Sequence, residues 1–288
     1  MSLPTRDRLG GVLLILLAAA CFGLMPLFSA YGWQDGLRPA DLLTLRFALA
    51  ALILWGIVAV RGLGVPRGPA LWVLAGMGAL GYAGLALCYF TALTLAPAVV
   101  VALLLYLYPA FVTLLAWLLH GERPDRRRLL ALACALCGCA LTIGYASGAK
   151  PLGVALGVAS GLMYALYTLA GRRVPHGVPA LAQAAVVSSA ACLAMSVLTV
   201  PEGLRWPHSA AGWAGVFALA VVSTVLGVSS FLAGLRRLGP TRAATLSTFE
   251  PVVTALAGVA FLGQPLGPGT LFGGGLILLA GVLVVRSD

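Results

Sequence analysis

Charge is scarce in this chain: Asp, Glu, Lys and Arg together make up 9% of its 288 residues, against 61% hydrophobic residues. A water-soluble domain carries about a quarter of its residues as charge, so an aqueous surface is excluded. The mean hydropathy of +1.04 assigns the surplus apolar area to lipid. Histidine is rarer still. His120, His176 and His208 all fall in joins between apolar runs, with no His-Glu-x-x-His spacing for zinc. There is no phosphate-cradling glycine loop and no serine nucleophile turn. These absences leave an enzyme without its chemistry, and neither a metal nor a cofactor is expected. All six cysteines (Cys21, Cys88, Cys134, Cys137, Cys139 and Cys192) lie inside apolar stretches, so no disulfide staple is expected outside the membrane. Cys134 and Cys137 share a helix face, a spacing open to a metal or redox pair but better read as small packing residues.

What is present is long apolar runs. About 20 consecutive apolar residues cross a bilayer as a helix, and the runs fall near 10–30, 41–60, 69–91, 97–119, 127–146, 152–171, 178–200, 211–234, 240–262 and 268–285. The joins collect the breakers and charges, for example Gln34 to Pro39, Arg61 to Pro69, His120 to Arg128 and Pro201 to His208. Barrel strands alternate over about ten residues, whereas these runs are continuous. The expected fold is therefore all-α and integral to the membrane, with ten transmembrane helices. Almost nothing is left over for a soluble ATPase or regulatory module.

A net charge of +10 suggests nucleic acid until its placement is considered. With ten helices, 14 basic residues fall on one side, Arg6, Arg61, Arg123, Arg172 and Arg286 among them, and Arg38, Arg46, Lys150 and Arg205 on the other. Basic residues are retained on the cytoplasmic side, so both termini are expected in the cytoplasm, of a bacterial inner membrane, and nucleic acid is not a partner. Residues 1–21 resemble a signal sequence, with Arg6 and Arg8 before an apolar stretch, but the repeat below needs them as a helix.

The chain resembles itself at a shift near half its length. Pro109 leads into His120-Gly121-Glu122, and Pro251 leads at the same distance into Leu262-Gly263-Gln264, a shift of 142. The same 142 aligns Gly11 with Gly153 and Phe22 with Tyr164, while 141 aligns Trp72 with Trp213 and Phe90 with Phe231. Two halves follow, 1–147 and 148–288, each with five helices. Five is odd, so the second half is expected to insert upside down. Inverted repeats let a carrier exchange inward- and outward-facing shapes around a central cavity. Gly153, Gly157 and Gly161 form a stripe along the sixth run that allows close helix approach.

The stretches Gly11 to Pro26, Arg46-Phe47, Tyr108-Pro109 to Glu122, and Phe249-Glu250-Pro251 to Gln264 resemble the drug/metabolite transporter superfamily, specifically its EamA-domain members. The resemblance covers essentially the whole chain. It implies ten helices, a cavity between the halves and, by its likeness to a bacterial inner-membrane amino-acid exporter, export of aromatic and other neutral amino acids. Gln264 departs from the family's acid, so any role of that acid is not carried over.

Several residues could carry transport. Pro109 and Pro251 lie mid-run at equivalent positions, where a proline removes a backbone bond and kinks the helix; they are read as hinges. Glu250 is the acid deep in a run, about 15 Å beyond Pro240, and a charge there costs on the order of 3 kcal/mol. It could bind an ammonium, carry a coupling proton, or bond a neighbouring helix. Arg46 lies five residues past Asp41 and is read either as an anchor snorkelling to the outer interface or as an attractor for a carboxylate. The remaining substrate-binding candidates are Tyr82, Tyr89, Tyr106, Tyr164, Thr168, Ser223, Ser230, Thr245 and Thr248, because hydroxyls and tyrosine rings suit an amphiphile with a polar handle. Trp33, Trp55, Trp72, Trp206 and Trp213 fall near run ends, as an interfacial belt does. The partners expected are a small-molecule substrate and the lipid bilayer; a monomer would suffice. The alternative cargo is a hydrophobic or cationic drug-like compound, with Glu250 as counter-charge.

Overall fold

Prolines mark where the helices start, and where they break. The structure, a computed structural model, describes residues 5–120, 126–144, 148–171, 173–174, 177–238, 243 and 246–285. The helices are α1 (Thr5–Gly23), α2 (Met25–Gln34), α3 (Pro39–Val60), α4 (Pro69–Gly76), α5 (Ala83–Leu93), α6 (Ala98–Leu105), α7 (Tyr108–His120), α8 (Arg126–Gly144), α9 (Pro151–Gly171), α10 (Ala180–Thr199), α11 (Ala210–Phe217), α12 (Gly227–Leu238), α13 (Glu250–Leu262) and α14 (Pro268–Val285). Pro39, Pro69, Pro151 and Pro268 each open a helix, where a missing N–H loses no bond. Among the described residues, seven stretches are long and apolar enough to cross a membrane: Leu9–Gln34, Pro39–Val60, Pro69–Leu93, Ala98–Leu115, Pro151–Gly171, Ala180–Thr199 and Ala210–Leu238. Three shorter apolar helices, Leu129–Thr142, Glu250–Leu262 and Pro268–Leu283, lie where the remaining runs fall.

The expected kinks are breaks. The chain leaves the helix at Tyr106-Leu107 and resumes at Tyr108, so Pro109 is the second residue of α7. Pro251 is likewise the second residue of α13, after a turn at Thr248-Phe249. A third break, at Leu24 with Pro26 just inside α2, interrupts the first run, which the sequence reads as continuous. Two π-helical stretches widen the third run of each half: Met77–Tyr82 joins α4 to α5, and Ala218–Leu226 joins α11 to α12. Met77 and Ala218, where these stretches start, stand at the same repeat offset as Trp72 and Trp213.

Packing repeats across the halves. α1 lies against α12 as α9 lies against α5; α3 pairs with α10, α6 with α13 and α8 with α14. Glycine makes the closest of these approaches. A Cβ on Gly161 would stand 2.9 Å from the Leu104 carbonyl oxygen and 3.1 Å from that of Leu105. Pro109 has no N–H for the Leu105 carbonyl, so α9 meets the loosened backbone of the α6–α7 break at a residue without a side chain. The glycine stripe is thus a buried seam. Gln264 accepts a bond from the Ala98 N–H at 2.9 Å and so caps α6 from the opposite half.

Large apolar side chains point outward as well as in. Leu52, Leu80, Phe261 and Phe272 are each 70% or more exposed, an arrangement that requires lipid rather than water. Among the tryptophans, Trp72 and Trp206 are exposed, whereas Trp55 donates its indole N–H to Ser189 at 3.0 Å. Trp55 therefore ties α3 to α10. Trp33 and Trp213 are also partly buried. The six cysteines are free thiols.

At one end of the bundle the loops 35–38 and 200–209 are joined by charge. Arg38 grips Asp41 with bonds of 2.6 and 2.8 Å, reaches the Gly203 carbonyl at 2.8 Å and pairs with Glu202. Asp35 accepts the backbone N–H groups of Ser209 and His208 at 3.1 and 2.5 Å. The Ser209 bond is the main cause that holds the Asp35 carboxyl below the usual aspartate range, and the Asp41 carboxylate raises Arg38 above its ordinary value.

Candidate substrate cavity

A cavity of about 330 Å³ opens between the breaks. Its walls are built from equivalent positions of the two halves. At an offset of 142 the lining residues pair as Phe22 with Tyr164, Met25 with Tyr167, Arg46 with Ser188, Tyr82 with Thr224 and Ala86 with Val228. The same offset pairs Tyr89 with Phe231, Phe90 with Leu232, Leu105 with Ser247 and Tyr108 with Glu250. The duplication read from the sequence therefore shapes the cavity itself, which lies between the halves.

Tyrosine dominates the wall. Rings are in contact from Tyr82 to Tyr167 (centroids 5.9 Å apart), Tyr167 to Tyr164 (6.5 Å), Tyr164 to Tyr108 (4.4 Å) and Tyr108 to Tyr106 (6.1 Å). This belt presents ring faces with hydroxyls between them, suited to an apolar body with a polar handle.

Each end of the belt touches a charge. At one end Arg46, 2% exposed, donates from Nε to Thr224 Oγ1 at 3.0 Å and from Nη2 to Tyr82 at 3.3 Å. Its guanidinium carbon lies 5.4 Å from the ring centres of both Phe47 and Phe90. Arg46 is thus held inward on the cavity wall rather than snorkelling to the outer interface, tied to Thr224 and Tyr82 of other helical segments. The π-helical turn supplies the reason: it brings Thr224 to the guanidinium, and Tyr82 meets it from the third run. At the other end Glu250, first residue of α13, receives the Tyr106 hydroxyl at 3.0 Å. That hydroxyl also lies 2.5 Å from the Ser247 carbonyl. In an unbroken helix the residue-251 N–H would bond this carbonyl; Pro251 has none, so Tyr106 takes its place. One hydrogen now serves two acceptors. The helix N-terminus favours negative charge at Glu250. Tyr89 stands within electrostatic reach of both Arg46 and Glu250.

The other residues proposed from the sequence divide. Tyr82, Tyr89, Tyr106, Tyr164 and Glu250 line the cavity. Thr168 does not; it is exposed and bonded to the Tyr164 carbonyl. Ser223 is buried against the Cys21 carbonyl at 2.8 Å, a tie between helices. Ser230 is buried away from the wall, and Thr248 is off it, next to Ser247, which lines it. Thr245 lies outside the described residues. Sequence reasoning missed Tyr108, Tyr167, Ser188, Thr224 and Ser247; four of them follow from adding 142 to Met25, Arg46, Tyr82 and Leu105. Among the described residues, no group of His, Cys, Asp and Glu could hold a metal ion.

A tyrosine-walled cavity between duplicated halves of a lipid-facing bundle is the architecture of a membrane transporter. The EamA-like transporter family matches this chain twice, over residues 9–144 and 151–286, and the chain belongs to that family. The two matches begin at positions 9 and 151, the offset at which the cavity walls pair. The uncharacterized transporter YcbK of Bacillus subtilis is 28% identical, covering 91% of this chain and 88% of its own. The uncharacterized transporter sll1319 of Synechocystis is 29% identical over 90% and 88% of the two chains. The threonine/homoserine exporter RhtA of Escherichia coli is 33% identical over 47% of each chain. A protein of known crystal structure, 24% identical, shares the fold with a TM-score of 0.59 and 95% coverage of both chains.

Proposed function

We propose that this transporter is a secondary carrier that exports small organic solutes by alternating access, with aromatic and other neutral amino acids as its main cargo. The observation that carries the reading is a cavity whose walls pair at one offset, with helix breaks at Pro109 and Pro251 beside it. Two equivalent halves meeting at a cavity can rock against each other without rebuilding it. Pro109 and Pro251 are the hinges of that motion. The chain crosses a bacterial inner membrane ten times, as inverted five-helix halves 1–147 and 148–288, with both termini in the cytoplasm. The odd number of crossings per half and the 14-to-4 division of basic residues support this topology.

For the cargo, the support is a wall of rings and hydroxyls with opposite charges at its ends, together with the partial likeness to RhtA, which is named for threonine and homoserine. A second reading, efflux of lipophilic cations, draws on Glu250 and the aromatic belt. Uptake into proteoliposomes of phenylalanine, threonine, methionine and a lipophilic cation separates the two. Saturable flux of the amino acids is expected. Movement of the cation alone would transfer the protein to the second reading.

A further inference from the structure

We infer that Arg46 is the carboxylate anchor of the cavity, and that the cargo must bring a carboxylate to it. The inference rests on the proposed carrier function and narrows its substrate class to carboxylate-bearing solutes.

The argument is one of charge accounting. A guanidinium withdrawn from water within a membrane protein is costly unless it is paired. Among the described residues the ion pairs are Arg38 with Asp41 and Arg38 with Glu202; Arg46 has no carboxylate within pairing distance. Its Nε and Nη2 donate to the hydroxyl oxygens of Thr224 and Tyr82, which orient the fork without cancelling its charge. Among the described residues Nη1 has no acceptor, and the residue lines the cavity. A planar fork held by two of its nitrogens, on a residue that lines a cavity, fits a carboxylate.

Symmetry makes the same point. The repeat equivalent of Arg46 is Ser188, which also lines the cavity but carries no charge. A residue that only packed the halves together would have no need of a charge in one half alone. The acid in the cavity, Glu250, shares the Tyr106 hydrogen with the Ser247 carbonyl and sits at a helix break, outside pairing distance of Arg46. It can take the amine end of a cargo or a proton. The rings of Phe47 and Phe90 beside the guanidinium keep water from replacing the carboxylate cheaply.

The experiment compares phenylalanine, 3-phenylpropionate and phenethylamine as cargo and as competitors, in proteoliposomes of the full chain. For the wild type, phenylpropionate should compete with phenylalanine, and phenethylamine should compete at least about tenfold more weakly. Arg46→Gln should raise KM for the two carboxylates by about tenfold or more and leave that for phenethylamine within about twofold. Arg46→Lys should restore part of the carboxylate preference. Competition by the amine as strong as by the acid would overturn the inference without any variant, which covers the case in which Arg46→Gln does not fold. So would an Arg46→Gln protein that loses all three cargoes equally, since that marks a structural role. Transport of phenylpropionate without any amino acid would leave the anchor standing and remove the amino-acid reading instead.

Discussion

The bond from Tyr106 to the Ser247 carbonyl joins the two helix breaks, and removing it should be measurable. Tyr106→Phe keeps the ring, which is 7% exposed, and deletes a hydroxyl 2.5 Å from that carbonyl and 3.0 Å from Glu250. A neutral hydrogen bond contributes about 1 kcal/mol and one to a charged group about 1.5–3 kcal/mol, but side-chain bonds inside membranes average about 0.6 kcal/mol. Only one hydrogen is shared, so the two contacts do not add. The expected loss is about 1 to about 2 kcal/mol, the lower figure applying if cavity water reaches the orphaned carbonyl. Reversible unfolding in mixed micelles measures it, with Tyr167→Phe as the comparison: Tyr167 lines the same cavity through its ring contacts. A double cycle with Glu250→Gln should show coupling of about 0.5 kcal/mol or more. Loss below about 0.3 kcal/mol with no coupling would refute the idea that Tyr106 replaces the bond Pro251 removes.

Glu250→Gln should flatten the pH dependence of substrate accumulation while leaving exchange of unlabelled for labelled cargo; an unchanged pH profile would take the proton away from this residue. Gly161→Val should destabilise by about 1–3 kcal/mol through overpacking, because the first added carbon already meets backbone oxygens at 2.9 and 3.1 Å; thermal unfolding in detergent reports it. Asp35 is held below the ordinary aspartate range by the Ser209 N–H, so its contribution to stability is complete above about pH 3.9 and is lost as pH falls through its lower folded value. The difference in melting temperature between wild type and Asp35→Asn should therefore stay constant from neutral pH to about pH 4 and shrink only below it. Asp41→Asn should increase thiol labelling of a cysteine placed at the buried Leu37, over the background of the native thiols; no increase would show that the loops are held together by other contacts.

Much of the fold is legible because its signals are continuous. Apolar runs of this length have few alternatives, and the duplicated prolines already set out two halves. The breaks are not legible as breaks, since a proline in an apolar run looks the same whether the chain bends or unwinds for a turn. The π-helical stretches leave no mark: Met77–Tyr82 and Ala218–Leu226 contain no proline, and the widened turn depends on what packs against it. Within the site, Thr168 fails as a wall residue by helix angle. It lies four residues from Tyr164, yet the wall is completed by Tyr167, three residues on. Arg46 is ambiguous in sequence because a long side chain can reach either an interface or a cavity, and only Thr224, far along the chain, decides between them.

The duplication makes the walls alike and leaves the ends unlike. At one end Asp35, Asp41 and Glu202 stand against Arg38 and the loop backbone, so the loops of the two halves hold each other by charge-assisted bonds. In the proposed inverted topology the repeat equivalents of those loops, 172–179 and 61–68, belong to the opposite end. These segments contain Arg61, Arg67, Arg172 and Arg173 and not one Asp or Glu. Four like charges cannot reproduce the first arrangement; brought together they repel, over a range of about 8 Å at physiological salt. In the proposed alternating-access cycle, closing that end would work against its charge, while the first end would close with it. In the proposed carrier, a symmetrical scaffold would thereby acquire a preferred direction of closure from its loops. Asp41 accepts the Arg205 N–H at 3.3 Å from the other half and lies off the cavity wall, so neutralising it is expected to act on thiol access at Leu37 and to leave the binding of cargo as it is.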